Sequence, residues 1–312
     1  MLKMNFLDKT GNPVIKKKYR EITFFSNDQT YRVNMYFTLN YACPCNCHFC
    51  RNKELSKDDA THNLERQKEQ LRKWSQYIDT ITIGGGEPLI QVPTIISLLS
   101  EGYLNSNNVA IVTSGIRKQF LSEVENSGSY FPRSLFDEVS TIYLSRLKKD
   151  DTDNQKMFNT RTPILTGSDI MHLPNKILDK ITILSTCCLS GISSLGEMLD
   201  FINWVKSIGV KSVIFNDLQK SVSGDSYKDN ISEQIFADCI KALGNCGFYQ
   251  KSFICYSSGY DISSYTDGVI TVGFKHYHID KRETKRIWRQ RARKRTYDLA
   301  LLPNGDFLPD HV

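Results

Sequence analysis

Apolar and polar positions settle into a regular rhythm after residue 32. Residues 33–39 alternate strictly, which predicts a strand with one buried face. Residues 63–77 carry apolar positions at helical spacing with charge on the other face, which predicts a helix. Short β-branched or alternating runs at 80–83, 109–113, 139–144, 180–185 and 210–215 predict five more strands. Between them, 92–99, 118–125 and 195–208 read as helices. Pro93 is tolerated in a first helical turn, and Gly209 is a helix stop. Six strands separated by helical segments imply right-handed βαβ units and a parallel sheet, either open and doubly wound or a partial barrel. In both, functional groups gather at the C-terminal ends of the strands. Residues 1–32 read as an N-terminal extension with a hairpin, 33–219 as the main α/β unit, and 220–312 as a C-terminal region where the rhythm stops.

Composition changes this picture little. The chain has 312 residues, 40% apolar and 24% charged, enough for a buried core without disulfide staples. No apolar run approaches the roughly 20 residues that span a bilayer. The first residues lack the apolar core of a signal peptide, so a cytoplasmic location with reduced thiols is expected. Two features are uneven. Four of the nine cysteines fall between Cys43 and Cys50, and nine basic residues against one acid lie between Lys281 and Arg295. An odd cysteine count in a reducing compartment points to metal or redox chemistry rather than a disulfide framework.

The cysteine loop follows the first predicted strand. Cys43, Cys47 and Cys50 have C-x-x-x-C-x-x-C spacing, and three thiolates in a tight loop suit an iron–sulfur cluster with one iron left open for chemistry. A structural zinc site with Cys45 as fourth ligand, or clustered thiols without metal, are the alternatives. Directly after the second strand stands Gly84-Gly85-Gly86-Glu87-Pro88. Glycines let a ligand approach the backbone, and a carboxylate behind them can hold an ammonium group. Glycine turns after strands are also commonly structural.

The two motifs together, with Phe49 as the aromatic before the last cysteine, resemble the signature of the radical S-adenosylmethionine enzymes. Thr113-Ser114-Gly115 and Leu144-Ser145-Arg146 resemble that family's turns after the third and fourth strands, and the likeness covers about residues 33–219. It implies an α/β fold, a partial (β/α)6 TIM-like barrel with a small C-terminal α+β extension. It implies that Cys43, Cys47 and Cys50 ligate a [4Fe–4S] cluster whose fourth iron is chelated by S-adenosylmethionine. Gly85, Gly86 and Glu87 would bind the methionyl amine, Ser114 and Ser145 the ribose or carboxylate, and Phe49 would line the adenine. One-electron cleavage would give methionine and a 5′-deoxyadenosyl radical that takes hydrogen from a substrate. A flavodoxin- or ferredoxin-type electron donor follows from the same resemblance.

The C-terminal region bears on the substrate. Asn304-Gly305 between alternating apolar residues predicts a final hairpin. It resembles the hairpin that carries auxiliary cluster ligands in some relatives, but Asp310 stands where a cysteine is expected. Cys187, Cys188, Cys239, Cys246 and Cys255 lack paired spacing and read mainly as buried packing thiols. Arg289, Arg291, Arg293 and Arg295 are the candidate substrate ligands, because arginine forks bind phosphate or carboxylate. A solvated charged surface is the plain alternative. His276 reads as a polar position on an edge strand. The expected substrate is an anionic small molecule, with a nucleotide or nucleoside derivative favoured. A peptide or RNA substrate is the alternative, and a non-catalytic metal-binding module docked on nucleic acid is the reading from another class.

Overall fold

The computed structural model describes residues 5–6, 23–24, 31–50, 52, 62–75, 78–104, 108–129, 133–217, 233–256, 260–277 and 295–309. Parallel strands follow one another in chain order: β1 (Tyr31–Thr38), β2 (Thr80–Gly84), β3 (Val109–Thr113), β4 (Thr141–Ser145), β5 (Ile181–Thr186) and β6 (Ser212–Asn216). Helices carry the crossovers. They are α1 (Leu64–Trp74), α2 (Val92–Ser100), α3 (Arg117–Asn126), α4 (Leu135–Glu138), α5 (Asp151–Phe158), α6 (Gly167–Met171), α7 (Asn175–Leu178) and α8 (Leu195–Ser207). Helices α4 to α7 were not predicted. They are too short for periodicity to register, and polar side-chain caps define α4, α5 and α6 instead. Asp150 caps α5 through the Asp153 amide, and Thr166 and Asp169 form a reciprocal box on α6.

After β6 come α9 (Glu233–Asn245), β7 (Tyr249–Tyr256), β8 (Tyr260–Thr266), β9 (Thr271–Tyr277), β10 (Arg295–Leu301) and β11 (Phe307–Pro309). All of these strands join the same sheet, in the order β11-β10-β1-β2-β3-β4-β5-β6-β9-β8-β7. Strand β9 runs parallel to β6 and β10 parallel to β1, while β7, β8 and β9 form an antiparallel meander. Two residue pairs, Arg295 with Cys255 and Thr296 with Tyr256, connect β10 to β7. The sheet therefore curls until its two sides meet. The architecture is mixed α/β with a curled, mainly parallel sheet, as expected, and the C-terminal strands join the six anticipated parallel ones in that sheet.

Two local expectations change. Residues 5–6 and 23–24 pair in parallel, so they are not the arms of one hairpin. Strand β9 is flanked on both sides, so His276 lies inside the sheet rather than on an edge. The final hairpin forms as predicted, with β10 antiparallel to β11 and Gly305 at a positive φ of 81°. Of the basic segment, Arg289, Arg291 and Arg293 lie outside the described residues, as does Asp310, and Arg295 enters only through its backbone in β10.

Strand alternation separates two faces. Met35, Phe37, Ile81, Ile83, Ile111, Ile142, Leu144, Ile181, Ile183, Val213 and Phe215 are buried on the convex side. They form one core with Leu71, Ile95, Leu98, Phe120, Phe136, Met198, Phe201 and Val205 from the helices. The alternate positions Asn34, Tyr36, Thr82, Tyr143, Thr182 and Asn216 are half-buried on the concave side. There Asn34 donates to Asp298 across β1 and β10 at 3.0 Å. Among the described residues no helix is long and apolar enough to cross a membrane.

Phe274 on β9 anchors the added strands to the barrel. Its ring stacks on Phe215 at 5.9 Å and meets Phe236 of α9 at 5.4 Å. Phe274→Ala should lower unfolding free energy by about 3–5 kcal/mol in denaturant titrations, the range for emptying a buried aromatic site.

Candidate metal centre at the barrel mouth

The cysteine loop leaves the C-terminal end of β1 and is held from three directions. From below, the Gly86 amide donates to Asn40 O and the Glu87 amide to Ala42 O, both at 2.8 Å. From the side, the Asn46 amide donates to Phe158 O at the end of α5 at 2.9 Å. From the far rim, His48 Nε2 and Ser190 Oγ lie 3.2 Å apart. Within the loop, the Cys50 amide closes a turn onto Cys47 O. Cys43 is exposed, Cys50 half-buried and Cys47 buried, and all are free thiols. Cys47 packs with Leu147, Phe158 and Ile164, and half-buried Phe49 joins that small cluster. Three thiols of the loop have partners: Cys43 Sγ accepts from the Cys45 amide, Cys45 Sγ donates to Ser114 Oγ, and Cys47 Sγ donates to Phe158 O. Among the described residues no three acidic, histidine or cysteine side chains converge as a ready-made metal site. The donor set nevertheless fits an iron–sulfur cluster, since three free thiols share one short loop and thiolates are its usual ligands.

The glycine turn has an internal explanation. A Cβ on Gly84 would meet Tyr36 Oη at 2.0 Å, and one on Gly86 would meet Ala42 O at 2.1 Å. Gly85 has a φ of 100°, and a Cβ there would meet Thr38 Cγ2 at 2.3 Å. These glycines let the chain approach itself, so the cysteine loop can sit on the turn. The Gly85 amide donates to Tyr36 Oη at 3.1 Å, and Asn52 donates to Gly85 O.

Glu87 is buried at 2% exposure. Its Oε1 accepts from the Leu89 amide at 3.0 Å and from Thr113 Oγ1 at 2.6 Å. Its Oε2 accepts from the amide and the hydroxyl of Ser114. Burial pushes the carboxyl above its ordinary range, while these donors pull the other way. The carboxylate thus fastens the turn after β2 to the turn after β3. Ser114 in turn bridges Glu87 to Cys45.

Ser145 is half-buried at the end of β4, on the concave side. Arg146 beside it is structural. It is 1% exposed, donates to the carbonyls of Lys148, Leu165 and Lys149, pairs with Asp151, and lies over the Trp204 ring at 4.9 Å. Cys187, Cys188 and Cys239 are buried packing thiols, and Cys246 is exposed. Burial pushes Cys187 well up and Cys239 up to about 12. The side chain of Cys255 lies outside the described residues.

Tyr36, Thr113 and Asn52 were missed from sequence. Tyr36 was legible in principle, since strand alternation puts it on the concave face with Asn34 and Thr38. Its hydroxyl is raised by burial and also by the neighbouring Cys50 and Tyr277, against the Gly85 hydrogen bond. Tyr277 of β9 thus lies within electrostatic reach of the Tyr36 hydroxyl.

The 4Fe–4S single cluster domain family matches residues 29–161, which hold both motifs and β1 to β4. That match spans 133 of the chain's 312 residues. Streptococcus suis SuiB is similar in structure, with a TM-score of 0.52 at 13% identity over 89% of this chain and 60% of SuiB. SuiB bound to S-adenosylmethionine gives 0.51, again at 13% identity over 89% of this chain and 60% of SuiB. SuiB bound to precursor peptide SuiA gives 0.52 at 13% identity, over 90% and 60%. At this identity the likeness speaks to the fold, and the chain spans 60% of the length of SuiB. No curated protein sequence matches the chain.

If the glycine turn is the seat of a cluster-binding loop, Gly86→Ala should displace Ala42 and lower the iron retained after anaerobic reconstitution. Gly196→Ala, in α8 with open space around it, should retain iron and gain about 0.5–1 kcal/mol in stability. Iron analysis and thermal unfolding of the two variants check this, and equal iron contents would contradict it.

Proposed function

We propose that this protein is a radical S-adenosylmethionine enzyme that abstracts hydrogen from an anionic small molecule, with a nucleotide or nucleoside derivative favoured. The observation that carries the reading is the joining of three free thiols to the Gly84–Glu87 turn by the amides of Gly86 and Glu87. Cys43, Cys47 and Cys50 would hold a [4Fe–4S] cluster. Gly85, Gly86 and Glu87 would hold the methionyl ammonium of S-adenosylmethionine, Ser114 and Ser145 its ribose or carboxylate, and Phe49 its adenine. Bound there, the pair supplies one-electron cleavage of the sulfonium to methionine and a hydrogen-abstracting 5′-deoxyadenosyl radical, the electron coming from a flavodoxin- or ferredoxin-type donor.

The chain's own residues do the positioning. Glu87 holds the turns after β2 and β3 together, so that the methionyl end and the ribose end meet fixed groups. Cys47 and Phe49, packed with Leu147 and Phe158, shield one side of the loop from water. The concave face, lined by Tyr36, Tyr143 and Asn216, is where a substrate would meet the radical. The basic segment with Arg289, Arg291, Arg293 and Arg295 supports an anionic substrate on charge density. A second reading, a peptide substrate, is favoured by the similarity to SuiB, which has been solved with precursor peptide SuiA.

The anaerobically reconstituted protein, given dithionite and S-adenosylmethionine, should release 5′-deoxyadenosine. Cys47→Ala and Cys50→Ala should reduce this to background, together with iron content and the brown absorbance near 400 nm. Zinc in place of iron, or undiminished cleavage by Cys47→Ala, would sink the reading.

A further inference from the structure

On the concave face a lysine lies against two tyrosine rings. Lys275 lies on β9 in register with Asn216 of β6. Its neighbours Phe274 and Val272 point to the helix side, so Lys275 and Tyr277 point inward. Asn216 ends the parallel barrel strand β6, so Lys275 stands at the same mouth as the cysteine loop.

Lys275 Nζ sits 3.8 Å from the centroid of the Tyr260 ring and 5.0 Å from that of Tyr277. The two tyrosines are cross-strand partners with centroids 5.5 Å apart. Three half-buried lysines elsewhere pair with a carboxylate, Lys68 with Glu101, Lys148 with Glu197 and Lys206 with Asp267, whereas Lys180 donates to Phe136 O and Lys73 lies over the Trp74 ring. Lys275 has no carboxylate partner among the described residues. Aromatic faces attract an ammonium through their quadrupole but leave its full charge in place. A partly desolvated cation held this way keeps an unspent attraction for an anion. Beside it, the buried Oδ1 of Asn216 has no hydrogen-bond partner among the described residues. A buried acceptor of this kind normally finds a donor.

We propose that Lys275, held between Tyr260 and Tyr277, binds an oxyanion of the substrate, carboxylate or phosphate, while Asn216 accepts a hydrogen bond from an adjacent N–H or O–H of the same molecule. This rests on the enzyme reading above and names the substrate chemistry of that site. It moves the anion contact from the arginine segment to the inner wall of the barrel. The two tyrosine rings fix the ammonium in position without a competing carboxylate, so the incoming anion displaces water rather than an ion pair.

The test uses the whole 312-residue chain without reductant, so it does not depend on turnover. Inorganic phosphate and succinate are titrated separately by calorimetry. The wild type should bind one of them saturably. Lys275→Met should weaken that binding about tenfold or more, the loss of one charge-assisted contact, and Lys275→Arg should retain it. Saturation by phosphate marks a phosphorylated substrate and saturation by succinate a carboxylate. A second measurement needs no variant: the anion should protect Lys275 from acetic anhydride, read by peptide mass spectrometry. Failure of the wild type to bind either anion, equal binding by Lys275→Met, or unprotected labelling of Lys275 would each overturn the proposal. Anion binding without 5′-deoxyadenosine formation would sink the enzyme reading alone, and the converse would sink this proposal alone.

Discussion

The buried carboxylate of Glu87 is the constraint on which the rest of the mouth depends. A carboxylate removed from water is tolerated only where donors replace its hydration, and here four do so: the Leu89 amide, the Thr113 hydroxyl, and the amide and hydroxyl of Ser114. Those donors belong to two different strand ends. Satisfying one charge therefore fixes the turn after β2 against the turn after β3. The amides of Gly86 and Glu87 pass the constraint to Asn40 and Ala42, and so to the cysteine loop. The cysteine loop thus rests on a turn that this acid fastens to its neighbour.

The curled sheet divides labour between its faces. Its convex side spends the apolar residues on helix packing, leaving the concave side with polar and aromatic groups that have no structural duty to the helices. Parallel strands bring all their C-terminal ends to one rim, so turns that are far apart in the chain become neighbours. The strands after β6 complete this rim. Pairing of β9 with β6 and of β10 with β1 brings Lys275, Tyr260, Tyr277 and Asp298 to the concave face. Tyr36 joins the two sides, touching the glycine turn and lying within electrostatic reach of both Cys50 and Tyr277.

Much of the frame was legible in local pattern. Alternation located the parallel strands to within two residues, and Asn304-Gly305 located the last hairpin. The order of strands followed from their succession, because short crossovers make sequential strands neighbours. The juxtaposition of the cysteine loop with the Gly84–Glu87 turn followed from that order. Short capped helices such as α5 and α6 escaped because their definition lies in single side-chain hydrogen bonds rather than in periodicity.

By itself, then, the sequence determined which elements form, which cysteines share a loop and which turns share a rim, since these depend on spacing over a few tens of residues. Only the tertiary structure decided what each group touches. The glycines that read as room for a ligand make room for Tyr36, Thr38 and Ala42. Glu87, read as an ammonium ligand, is first a clamp between turns. Asn34 finds Asp298 across 264 residues of chain, and Lys275 finds Tyr260 only because a meander folds back onto the barrel. Such contacts are set by sheet pairing at long range, and no local pattern of hydrophobic and polar residues encodes them.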